Sequence, residues 1–170
     1  MTPLPGLGPV AHIGLVCSDI AATMEDLAAL GIRWSTVTQP LVRLRTPQHN
    51  QSNFIVSYVS ASGPQPRLKL ISATPESFFA LPEGVNSAVH HLGYWVSDVP
   101  ETSRLLQSQG WQVEASGLGD DDELGYRYLR SPQEVRIELG WAHKRAEFDA
   151  WADADPAPSR TANARVGGAW

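Results

Sequence analysis

Four side chains of the sequence have the types and placement to do chemistry together: His12, His91, Lys69 and Glu138. The histidines come as a pair. His12-Ile13-Gly14-Leu15-Val16-Cys17-Ser18-Asp19-Ile20 recurs as His91-Leu92-Gly93-Tyr94-Trp95-Val96-Ser97-Asp98-Val99, each position displaced by 79 residues, and the match continues through Thr23/Thr102 and Leu27/Leu106 to Gly31/Gly110. A lone strand histidine is usually a hydrogen-bonded core residue. Two at equivalent places of a repeat, each followed two positions later by glycine, point instead to imidazoles kept for function. Two imidazoles, a carboxylate and an amine around one space could bind a cation. Without one, they could polarise a carbonyl and move a proton beside it.

The elements that must position these groups follow from pattern. Val10 to Cys17 is a strand-length apolar run, Ser18-Asp19 caps a helix over Ala21 to Leu30, and Gly31 ends it. Trp34 to Val37, Leu41 to Leu44, Phe54 to Ser60 and Arg67 to Ser72 read as further strands. Thr74 to Ser87, with Pro75, Pro82 and Gly84, makes a loop between two halves. The second half repeats the plan: a strand over Val89 to Val96, a helix capped by Asp98 and ended by Gly110, then strands over Trp111 to Ala115, Tyr126 to Arg130 and Val135 to Gly140. The acidic stretch Gly117 to Glu123 reads as a mobile loop. Lys144 to Ala152 reads as a short closing helix, followed by a loosely held tail.

Side chains alternate faces along a strand. Ile13, Leu15, Cys17, Leu92, Tyr94 and Val96 then seat the two helices, while His12 and His91 face the opposite, concave side with open space over Gly14 and Gly93. Leu68, Leu70, Ile137 and Leu139 join the helix-facing core, which sends Lys69 and Glu138 to the concave face. Trp95, Tyr126 and Tyr128 share that parity and line the pocket; Arg130 and Arg136 share it too, and could meet a carboxylate or phosphate at the mouth. His90 falls on the helix side or hydrogen-bonds locally, and His49 and His143 have no partner pattern.

Two strand-helix-three-strand units, a His-hydrophobic-Gly-hydrophobic opening to each and Ile137-Glu138-Leu139 closing the second resemble the vicinal oxygen chelate superfamily. That superfamily includes glyoxalase I, methylmalonyl-CoA epimerase, fosfomycin-resistance proteins and extradiol dioxygenases. Ala11 to Trp34, His90 to Val96 and Ala146 to Trp151 are most similar to its glyoxalase-like group near the epimerases. The resemblance implies an α+β fold: two tandem βαβββ modules forming a curved, partly closed mixed sheet around a central cavity, helices outside. The units are residues 1–9 as lead-in, 10–73 and 88–143 as the modules, 74–87 as the loop between them, and 144–170 as helix and tail.

The same resemblance implies a metal site of His12, His91 and Glu138, able to take iron, manganese, zinc, cobalt or nickel. It departs from the superfamily at Lys69, which stands where the first module's glutamate ligand belongs. An ammonium cannot ligate, and its charge near a divalent ion in a partly dry site costs several kcal/mol. Two occupancies follow: a three-ligand metal site, or no metal, with Lys69 pairing Glu138. The expected activity is a lyase or isomerase acting by proton transfer beside a carbonyl. Glu138 would be base or ligand, His12 and His91 ligands or acid/base groups, Lys69 an electrostatic stabiliser and Tyr128 a further catalytic group. One alternative is a metal-free protein that sequesters an aromatic or drug-like ligand. The other is a ring-cleaving dioxygenase, for which Tyr128 lies ten residues before Glu138, while Asp120 to Asp122 and Ser131-Pro132-Gln133-Glu134 depart from the extradiol signature.

Composition narrows the partners. A formal charge of −5 without a basic cluster argues against nucleic acid and anionic membrane. No leader or spanning segment is read, and a single cysteine, Cys17, suits a reducing cytoplasm. A small-molecule substrate and, from the resemblance, a homodimer are the expected partners.

Overall fold

A computed structural model describes residues 7–48, 52–119 and 121–154. His49, Asp120, most of the 1–9 lead-in and the tail beyond 154 lie outside the described residues. The elements run β1 (His12–Cys17), α1 (Ile20–Ala28), β2 (Leu41–Arg45), β3 (Ser52–Ile55), β4 (Tyr58–Ser60), β5 (Arg67–Ser72), β6 (Ser87–Val96), α2 (Val99–Gln107), β7 (Gln112–Leu118), β8 (Leu124–Arg130), β9 (Arg136–Trp141) and α3 (Arg145–Asp153). The nine strands form one mixed sheet ordered β3-β2-β7-β8-β9-β6-β1-β5-β4.

The duplicated segments build the centre of this sheet. β1 and β6 pair antiparallel, and each carries its own module's last strand in parallel on its outer side, β5 beside β1 and β9 beside β6. Both helices start alike. Asp19 accepts from Ala22 N at 3.0 Å and Asp98 from Glu101 N at 2.7 Å, while Thr23 and Thr102 each donate back to the cap carbonyl at 2.7 Å. α1 lies over a core of Leu15, Cys17, Leu68 and Leu70, and α2 over Leu92, Tyr94, Val96, Ile137 and Leu139, as strand alternation requires.

The first module departs from the plain repeat. The expected strand Trp34 to Val37 is not formed; isolated bridges, Trp34 to Ala61 and Thr38 to Tyr58, stand there instead. The expected strand Phe54 to Ser60 breaks at Val56-Ser57 into β3 and β4. Before the break, the β2–β3 hairpin leaves its own module and its β2 pairs with β7, through Leu44 to Gly117 and Arg45 to Ser116. β3 and β4 thus stand at opposite edges of the sheet although only two residues separate them, so the sheet is curled into a half-barrel. The Gly117 to Glu123 stretch is not all loop: Gly117 and Leu118 belong to β7, and Glu123 O accepts from Gly119 N at 2.8 Å in a tight turn.

A second departure concerns the space over the two glycines, which is filled. A Cβ on Gly14 would lie 2.1 Å from His91 Cε1, and one on Gly93 would lie 2.1 Å from His12 Cε1. His12 pairs with Gly93 and His91 with Gly14 across β1 and β6, so each imidazole leans over the glycine of the other strand. We expect Gly14→Ala and Gly93→Ala each to lower the unfolding free energy by about 1–3 kcal/mol in urea titration, as overpacked cores do. Gly8→Ala, where nothing lies within 4 Å of an added Cβ, should be near neutral; equal stability of all three variants would contradict this packing.

Candidate active site

Five adjacent strands each send one functional side chain into the half-barrel: Tyr128 from β8, Glu138 from β9, His91 from β6, His12 from β1 and Lys69 from β5. They meet at one atom. Glu138 Oε2 lies 2.8 Å from His91 Nε2, 2.9 Å from the Tyr128 hydroxyl that donates to it, 3.6 Å from His12 Nε2 and 3.9 Å from Lys69 Nζ. The two histidine Nε2 atoms are 3.2 Å apart. His12, His91, Tyr128 and Glu138 are buried, and Lys69 keeps slight exposure toward the cavity.

Burial and pairing set the charges. Burial pulls His12 and His91 below the ordinary imidazole range, His91 to about 4, against the upward pull of Glu138. Burial alone would raise the Glu138 carboxyl; Lys69 and the two histidines outweigh it and hold the group well below the usual range. Burial and the Glu138 charge push the Tyr128 phenol up, leaving it a neutral donor. Neutral imidazoles beside an ionised carboxylate form the protonation state that a cation requires of its ligands. The spacing agrees: donors at about 2.1 Å from a shared ion stand roughly 3.0–3.4 Å apart, against the observed 2.8, 3.2 and 3.6 Å. His12, His91 and Glu138 therefore fit a divalent metal.

The cavity in front of them has a volume of about 130 Å³; rings such as Tyr58, Phe79, Trp95, Tyr126, Phe148 and Trp151 share its wall with aliphatic side chains and with Arg43, Lys144 and Glu147. Trp95 lies over Gly140, where a Cβ would come within 2.7 Å of its ring. Lys69 Nζ sits 5.3 Å above the Tyr58 ring centroid, a cation–π contact. The closing helix is more than a plug on the chain end. α3 covers the mouth, stacking Phe148 on His12 at 5.8 Å and against Trp95 at 5.5 Å. Buried Arg67 holds α3 through Asp153 at 2.7 Å and Asp149 at 3.3 Å.

Of the side chains expected at the site, His12, Lys69, Trp95, Tyr126, Tyr128 and Glu138 line the cavity, and His91 lies directly behind Glu138. Arg130 and Arg136 do not line it. Both turn to Glu114, at 2.6 Å from Arg130 Nε and 3.1 Å from the Arg136 guanidinium, and Arg130 also pairs with Glu134. Sequence parity did not find Glu114, because β7 shifts register between Val113 and Ala115. It also missed Arg67, Tyr58, Phe148 and Trp151. An arginine two residues before Lys69 on the same strand face was the available signal for the first.

Residues 11–129 match the family model of the Glyoxalase/Bleomycin resistance protein/Dioxygenase superfamily. The chain belongs to this superfamily. The matched span ends before β9, so Glu138 enters the site on geometry alone. Comparison with curated protein sequences finds no match. Among solved structures, the chain is similar to Streptomyces coelicolor methylmalonyl-CoA epimerase in complex with 2-nitronate-propionyl-CoA, at TM-score 0.54 and 19% identity over 78% of this chain and 96% of that one. The Mycobacterium tuberculosis epimerase gives TM-score 0.54 and 17% identity over 93% and 94%. A 4-hydroxymandelate synthase from Streptomyces coelicolor gives 0.53 and 13% over 80% of this chain and 38% of that one. Identities this low bear on the fold and not on the reaction. No described helix is long and apolar enough to cross a membrane.

The buried imidazoles give metal-stripped protein a defined pH response. Their folded pKa values lie below the unfolded value of about 6.5, so under that pH the unfolded chain binds protons that the folded chain refuses, and stability falls with the pH. The fall extends down to the folded values, about 4 for His91 and about 3 for the adjacent His90. Urea midpoints measured at pH 5 should be lower than at pH 7. A midpoint unchanged or raised at pH 5 would mean that these rings are protonated in the folded state.

Proposed function

We propose that the protein is an isomerase or lyase that moves a proton at the carbon beside a carbonyl of a small, partly aromatic substrate. The observation that supports this reading is Lys69, whose primary amine lines the cavity 3.9 Å from Glu138 Oε2 and so beside the His12, His91 and Glu138 triad. A divalent metal on those three side chains would act as a Lewis acid toward the substrate carbonyl oxygen. Glu138 is then a ligand rather than a free base, since the Tyr128 hydroxyl and His91 already engage its Oε2.

Lys69 is left as the acid/base group: its ammonium first releases a proton to solvent, the neutral amine then takes the proton from the carbon beside the carbonyl, and the ammonium so formed returns a proton to that carbon. Its ammonium has two resting partners, Glu138 Oε2 at 3.9 Å and the Tyr58 face at 5.3 Å, so it can turn from the triad toward the cavity without losing every favourable contact. Trp95, Tyr126 and Phe148 supply flat apolar walls that hold an acyl or aryl group and exclude water from the carbon being deprotonated. The homodimer and the cytoplasmic location expected from the sequence remain part of this proposal, with buried, unpaired Cys17 supporting a reducing compartment.

The same ring-lined cavity favours a second reading, sequestration of an aromatic ligand without turnover. Incubation of the zinc-, manganese- or cobalt-loaded protein with phenylpyruvate and with a propionyl thioester in D₂O, followed by proton NMR, separates the two. Exchange of the proton beside the carbonyl is expected in the wild type, with a loss on the order of 10²-fold in Lys69→Met and little change in binding. Exchange undiminished in Lys69→Met would remove the lysine from the mechanism, and binding without exchange in the wild type would favour sequestration.

A further inference from the structure

Two of the rings that line the cavity spend their polar groups within the protein. Tyr128 donates its hydroxyl to Glu138 Oε2 at 2.9 Å, and Trp141 donates its indole N–H to the Leu124 carbonyl at 2.8 Å. Nε1 of Trp95 and of Trp151 has no partner, but it is sealed within the wall. Tyr58 and Tyr126 remain, lining the cavity with hydroxyls that have no hydrogen-bond partner among the described residues. Tyr58 stands under Lys69, at the triad's end. Tyr126 points the other way. Its ring lies across its partner on β7, Gly117, where a Cβ would come within 2.1 Å of the hydroxyl-bearing Cζ. The hydroxyl therefore reaches over β7 toward β2, away from the strands that carry Glu138, His91, His12 and Lys69. β7 is two strands from β9, roughly 10 Å across the sheet. On that side β2 and β7 give the wall Leu41, Val42 and Leu118, together with Arg43, whose guanidinium is engaged by the Gly119 carbonyl and by Asp122 at 3.1 Å.

We infer that Tyr126 is a specificity-determining residue whose hydroxyl donates to a neutral oxygen, an ether, hydroxyl or carbonyl, at the end of the substrate remote from the reacting carbonyl; this rests on the proposed reading of the cavity as a substrate site. Burial, helped by the charge of Glu138, pushes the Tyr126 phenol up, so the group stays protonated and available as a donor. A hydrocarbon placed against it would leave that O–H dry and unpaired, whereas an oxygen acceptor of the same size satisfies it. The site can thereby tell an oxygen from a methylene, a discrimination that its apolar rings alone cannot make. With Arg43 already engaged, this end suits a neutral oxygen better than a carboxylate.

Two probes of matched size isolate that oxygen: 4-methoxyphenylpyruvate and 4-ethylphenylpyruvate. Isothermal titration calorimetry on the purified protein should show the methoxy compound binding about 3–10-fold more tightly. Tyr126→Phe removes one oxygen and keeps the ring over Gly117. It should bring the two dissociation constants together by weakening the methoxy compound alone. A preference retained in Tyr126→Phe, a preference absent from the wild type, an equal loss of affinity for both compounds in the variant, or no binding of either would each overturn the inference. Binding with this preference but without exchange in D₂O would defeat the proposed function and leave the inference standing. Exchange without the preference would defeat the inference alone.

Discussion

The site depends on one buried oxygen. Glu138 Oε2 can stay ionised beneath the sheet only because a phenol, two imidazoles and an ammonium surround it. An uncompensated carboxylate at this depth would neutralise itself or destabilise the fold. The sheet order supplies that surrounding. β8, β9, β6, β1 and β5 are consecutive strands, and each contributes one member of the cluster. Duplication explains how the arrangement closes: antiparallel β1 and β6 bring the two copies of one histidine face to face, and the glycine after each clears the room that the other ring occupies.

This part of the molecule was legible from the amino acids, and the reason is physical. Alternation along a regular strand is rigid, so the inward direction of His12, Lys69, Tyr128 and Glu138 followed from the outward direction of the leucines beside them. The rest failed wherever the backbone leaves that rule. A bulge turns His90 inward, another brings Glu114 to Arg130 and Arg136, and the segment expected as a strand over Trp34 to Val37 is left with isolated bridges. Parity also carries no information on depth. Arg130 and Arg136 pair with each other at one end of β8 and β9, away from the cavity that their parity suggested.

Tertiary closure was the least legible feature. No local pattern says that the hairpin of the first module pairs with β7, or that Phe78 and Phe79 of the joining loop pack under the sheet against Tyr128. These choices arise from apolar surface seeking cover at long range, for which sequence separation is no guide. They matter to the chemistry all the same. The joining loop backs the ring whose hydroxyl engages Glu138, and the crossing hairpin supplies Val42 and Arg43 to the cavity wall.

The charge pattern of β5 ties the mouth of the cavity to its floor. Arg67 and Lys69 share one face of that strand, two residues apart, yet they meet opposite fates. Arg67 is 5% exposed and uses both ends of its planar fork on Asp149 and Asp153, fastening α3. A guanidinium so little hydrated needs those carboxylates, so α3 is held over the cavity by the arginine's desolvation as well as by Phe148 and Trp151. Lys69 makes one long ion pair, 3.9 Å to Glu138 Oε2, an oxygen already engaged by Tyr128 and His91. One strand thus commits one cation to fastening the closing helix and leaves the next between the triad and the Tyr58 ring, where its charge offsets that of the buried Glu138 carboxylate.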